Sequence, residues 1–123
     1  MKTRKDRIEL LEGDTECVAW PLTRGECGSL LLASEVSTIV CTLRDEESGS
    51  IINSRNAQNV KNLNNGTLIN GEFEMAFQAA DTALQTAAQA KEVHICEIKV
   101  TATDAQVRTH IVELVCHRRQ TAS

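Results

Sequence analysis

With 123 residues and a formal charge of −4, the chain has room for one domain and lacks the basic excess of a nucleic-acid-binding module. A hydrophobic fraction of 41% argues against general disorder, and no apolar run reaches the length of a membrane span or a signal-peptide core. Only Trp20, Phe73 and Phe77 are aromatic, so the core must be built largely from Ile, Leu, Val, Ala, Met and Cys.

Residues 1–35 show no sustained hydrophobic period. "EGDTECVAWPLTRGECGS" holds Pro21, three of the six glycines, Cys17 and Cys27, and predicts an extended N-terminal arm with turns or a short edge strand. Basic residues gather at both ends (Lys2, Arg4, Lys5 and Arg7, then Arg118 and Arg119), where solvating the termini is their simplest role.

The first clear strand lies in "EVSTIVCTLRDEESGSIINS". Ser37, Ile39, Cys41 and Leu43 fall on one face, and Val36, Thr38, Val40 and Thr42 on the other. "RDEESGS" is a turn with Gly49 free to take positive φ, so residues 36–54 are expected to form a hairpin. Asn is then enriched from Asn53 to Asn70, with turn signals at "NNG" and again at Asn70–Gly71. Beyond them, Phe73, Met75 and Phe77 alternate with Glu72, Glu74 and Ala76 as in a half-buried strand.

Near the C-terminus, His94, Cys96, Ile98 and Val100 share one face. After the polar break "TDAQ", His110, Val112, Leu114 and Cys116 share another. Two long β-rich segments around a four-residue turn predict a hairpin. Between the Phe73–Phe77 strand and this hairpin lies the Ala/Gln-rich stretch 78–92. Its intrinsic propensity is helical and Asp81 could serve as an N-cap, but Leu84 is its one large apolar residue. A surface helix or a loop both fit; a core helix does not.

These elements predict an all-β fold: an antiparallel two-sheet, immunoglobulin-like sandwich over residues 36–119, preceded by the arm 1–35 and followed by a disordered tail, 120–123. In that arrangement Cys41 and Cys96 could form an inter-sheet bridge. The five cysteines, Cys17, Cys27, Cys41, Cys96 and Cys116, are all candidates for disulfides, and their odd number leaves at least one without a partner in the chain. Cys41, Cys96 and Cys116, flanked by β-branched residues, read equally as small buried hydrophobes.

Chemistry is weakly signalled. His94, Cys96, Cys116 and His117 could supply metal ligands from adjacent strands, but Cys116 and His117 point to opposite faces and the chain has no CxxC pair. A Cys96–His110 nucleophile pair lacks any feature that would lower the thiol pKa. The acidic residues show no acid/base spacing, "GECGS" lacks the context of a phosphate loop, and "NGT" at Asn65 is most simply a turn. The expectation is a non-enzymatic chain with no catalytic residues, no metal and no cofactor.

The stretches "STIVCTLRDEESGSIINSRNAQNV", "NNGTLINGEFEMAFQAADTAL" and "VHICEIKVTATDAQVRTHIVELV" resemble small virion proteins of tailed bacteriophages. The resemblance covers about residues 36–115 and lies in structural motifs. It implies an immunoglobulin-like structural protein of the neck, collar, head–tail connector or capsid surface, assembled in the host cytoplasm and localised in the virion. Its partners would be other virion proteins and further copies of itself in a symmetric oligomer, with no direct contact to nucleic acid or membrane. Cys17 and Cys27, in the arm, would be the foremost candidates for stapling subunits together. The alternative is a soluble sandwich of carbohydrate-binding or adhesin type, which would need an aromatic platform.

Overall fold

A computed structural model describes residues 3–23, 29–86 and 90–119. Among the described residues, eight strands run in chain order: β1 (Thr3–Leu11), β2 (Glu16–Pro21), β3 (Val36–Asp45), β4 (Gln58–Asn59), β5 (Gly66–Ile69), β6 (Glu72–Phe77), β7 (Lys91–Ala102) and β8 (Val107–His117). They form a five-stranded sheet in the order β1-β8-β7-β3-β4 and a three-stranded sheet in the order β2-β6-β5. The chain is therefore an all-β two-sheet sandwich. The order β8-β7-β3-β4 facing β2-β6-β5 reproduces the G-F-C-C′ and B-E-D sheets of an immunoglobulin-like domain.

The alternation read from sequence is realised in burial. Phe73, Met75 and Phe77 are fully buried, as are Cys96, Ile98, Val112, Leu114 and Cys116, and together they close one core with Ile39, Cys41 and Leu43 of β3. The long hairpin β7–β8 pairs from Lys91↔His117 to Thr101↔Val107, around a turn in which Ala105 takes φ of 71°. The turn after β3 also returns on itself, through the Arg44↔Ile51 bridge, but the chain then leaves the sheet; the long partner of β3 is β7. A bulge between Val36 and Thr38 moves Val36 to the inner face, opposite to its place in a regular strand.

The N-terminal segment departs from the expected arm. β1 pairs in parallel with β8 from Thr3↔Thr109 to Leu11↔His117, and β2 pairs antiparallel with β6. The sandwich thus begins at the start of the described chain and not at residue 36. The inward positions of β1 include Asp6 and Leu10, and Asp6 breaks the apolar alternation that would announce a strand. Its carboxylate is there to meet Trp20, whose indole Nε1–H donates to Asp6 Oδ2 at 2.8 Å. Trp20 is itself buried between the sheets, stacked on Phe73 at 6.0 Å between ring centroids and tilted against His110 at 6.0 Å. The tail 120–123 lies outside the described residues.

Among the described residues of the stretch 78–92 there is one helical turn, α1 (Ala79–Thr82), and Leu84 packs against the core. Asp81 is not its N-cap. Gln78 holds that position, and its N–H donates to Asp81 Oδ2 at 2.7 Å. The Asn-rich segment owes its shape to left-handed residues: Asn53, Asn62, Asn64 and Asn65 all have positive φ. In "NNG" the two asparagines make the turn. Gly66 serves a different need, since a Cβ there would stand 2.0 Å from the Val60 carbonyl oxygen.

Candidate functional site

One pole of the sandwich gathers the end of β3, the start of β7, the end of β8 and the turn α1, and it holds a continuous buried polar network. Its first half is Arg55 and Asp81, 2% and 0% exposed in their side chains. Arg55 Nε donates to Asp81 Oδ1 at 2.6 Å and Nη2 to Oδ2 at 3.0 Å, a two-pronged pair. Its remaining N–H groups go to Gln58 Oε1, the Asn64 carbonyl and Asn65 Oδ1, so all five donors are used. Asp81 also accepts from Asn53 Nδ2 and the Gln78 amide, which fills its four acceptor positions. Burial opposes the Arg55 charge, but the bonds to Asp81 outweigh it and raise the Arg55 pKa. The pair ties the Asn-rich loop to the β6–β7 crossover and is a structural lock.

The second half is centred on His94. Its Nδ1 lies 2.9 Å from the Asp81 carbonyl, and its Nε2 lies 2.9 Å from Glu92 Oε1. A carbonyl can only accept, so Nδ1 carries a proton and Nε2 faces the carboxylate. Glu92 also accepts the amides of Gln85 at 2.8 Å and Thr86 at 2.6 Å. Burial alone would raise its pKa, but these amides and the His94 ring hold it below the ordinary value. Asp45, the cross-strand partner of His94, brings a carboxylate oxygen into the same cluster. It also accepts from the Ser48 amide and hydroxyl through Oδ2.

Cys116 Sγ stands 3.6 Å from His94 Nδ1, which completes a Cys–His–Glu succession. It is not arranged as a nucleophile. Burial and the neighbouring Glu92 charge push the Cys116 thiol up to about 12, and Cys116 and His94 are both fully enclosed. The Cys96–His110 pairing weighed from sequence does not form: Cys96 lies opposite Val112, whereas His110 lies opposite Ile98 and packs on Trp20.

Nor is the expected inter-sheet bridge present. Cys41 and Cys96 occupy adjacent strands of one sheet, with sulfurs 3.5 Å apart, and both are free thiols. Contact with Cys41 together with burial raises the Cys96 pKa well above that of an open thiol. Cys17 is exposed on β2, an edge strand, with its sulfur 3.7 Å from Glu74 Oε1. Cys27 lies outside the described residues.

Sequence reasoning missed Glu92, Asp45, Arg55 and Asp81 as a group. The available signal was Glu92-x-His94, which puts both side chains on one face of a strand. Comparison with protein-family models and with curated proteins finds no match to this chain.

Proposed function

We propose that the chain is a non-enzymatic structural protein of a tailed-phage virion, mediating subunit assembly in the neck, collar or head–tail region. The reading starts from the resemblance of residues 36–115 and is supported by where the fold puts its reactive groups. The observation that carries it is enclosure. His94 and Cys116 are fully buried and Glu92 nearly so, which leaves no accessible nucleophile or base in the polar network. What the molecule offers outward is edge strands and a few apolar side chains, among them Leu30, Leu32 and Ile69, each more than half exposed. Edge backbone and scattered apolar contacts suit docking to neighbouring subunits. The exposed Cys17 on an edge strand could add a covalent link in an oxidising exterior.

The same burial disfavours a carbohydrate-binding or adhesin module. Trp20, Phe73 and Phe77, the three aromatic residues, are at most 1% exposed and cannot form a surface platform. Peptide mass spectrometry of density-purified particles of the encoding phage should find this chain at a fixed ratio to the portal protein. Its absence from particles, with the protein left wholly in the lysate, would end the proposal. Non-reducing electrophoresis of the same particles tests the covalent link separately.

A further inference from the structure

We propose that Asp45, Glu92 and His94 form a binding site for one divalent transition-metal cation. Each offers one ligand atom, these atoms lie within 4.8 Å of one another, and all three residues are buried. The grouping follows from the sheet. Asp45 and His94 are register partners on β3 and β7, and Glu92 precedes His94 by two residues on the same face.

Ring orientation and charge carry the argument. A ligating histidine commonly donates its other N–H to a backbone carbonyl, which fixes the tautomer and aims the free nitrogen at the ion. His94 does this through Nδ1 and Asp81, and its Nε2 faces Glu92. The 2.9 Å between Nε2 and Oε1 suits a proton between them. It equally matches the separation of two ligands each about 2.0–2.1 Å from one ion and about a right angle apart.

Charge favours the ion. All five Arg55 donors are taken by Asp81, Gln58, Asn64 and Asn65, and among the described residues His94 is the basic side chain paired with Glu92. A proton on His94 offsets one of the two buried carboxylates; a divalent cation offsets both. Asp45 makes its hydrogen bonds through Oδ2, which leaves Oδ1 available as a ligand atom. The exposed Glu46 and Glu47, next in the chain, would draw a cation towards this pole. Two carboxylates and an imidazole suit Zn²⁺ or Mn²⁺ better than a soft ion. The Cys116 sulfur sits beside Nδ1, on the other side of the ring from Nε2, and is not one of the ligands.

The test uses the full-length chain after EDTA treatment and dialysis, titrated with ZnCl₂ by calorimetry and followed by thermal unfolding. One equivalent should bind, and Tm should rise by about 8 °C at a hundredfold excess over Kd. Asp45→Asn retains an acceptor for Ser48, so its metal-free Tm should stay within about 3 °C of the parent while its Zn²⁺ affinity falls at least tenfold. His94→Gln should abolish binding, and Asp45→Asn remains decisive if that variant fails to fold. Absence of both heat and Tm shift in the parent chain would overturn the proposal. So would undiminished Zn²⁺ binding by Asp45→Asn, which would place the ion elsewhere, for example on Cys17 or Cys27.

Discussion

Asp6 on β1 accepts the indole N–H of Trp20 on β2 at 2.8 Å, so the first strand of one sheet is bonded to the first strand of the other. This contact makes the N-terminal segment part of the sandwich, because an unpaired indole N–H between the sheets would be costly. Asp6→Ala should destabilise the domain by about 1–3 kcal/mol, and Trp20→Ala by about 3–5 kcal/mol through loss of the largest core side chain. Urea unfolding of both single variants and the double variant measures the coupling. Additive losses would show that the bond does not join the sheets.

Arg55 and Asp81 allow a sharper contrast. Removing one partner strands a buried charge, whereas replacing both with apolar residues of similar volume removes the charges together. Arg55→Met and Asp81→Leu should each cost about 3–5 kcal/mol, with the double variant recovering at least half of the summed loss. Chemical denaturation of the four proteins decides it.

The thiols should divide by burial. Iodoacetamide at neutral pH should modify Cys17 in the native protein and leave Cys41, Cys96 and Cys116 unmodified until denaturant is added. Peptide mapping reads each site. Rapid native alkylation of Cys116 would contradict both its enclosure and its raised pKa.

Two glycines separate crowding from backbone strain. Gly66→Ala drives a methyl group into the Val60 carbonyl and should cost about 2–3 kcal/mol. Gly49→Ala meets no atom within 4 Å but must hold φ near +75°, and should cost only about 1 kcal/mol. Thermal unfolding of the two variants should rank them in that order.

Strands were legible where one face is largely apolar, as in Phe73–Phe77, the two arms of the final hairpin and most of β3. β1 was not, because Asp6 occupies an inward position for the sake of a partner 14 residues away. The reversed role of Asp81 has a similar cause: its spacing suits an N-cap, but it is the counter-ion of Arg55 that governs its placement. Arg55 has no local signature, since its acceptors come from Gln58, the Asn64–Asn65 turn and α1. Val36 lies on the face opposite to its place in the alternation, because a bulge leaves no trace in that pattern. The His94 cluster was half visible, in the Glu92-x-His94 spacing, but Asp45 joins it only through strand register.

The parallel pairing of β1 with β8 also constrains biogenesis. Residues 3–11 must wait for residues 109–117, made about a hundred residues later, before their edge of the sheet can close. On the ribosome, the first strand therefore emerges long before its partner, and sheet completion is a late event in folding. Until then its unpaired backbone is open to the same segment of another nascent copy, a hazard that increases with crowding on the polysome.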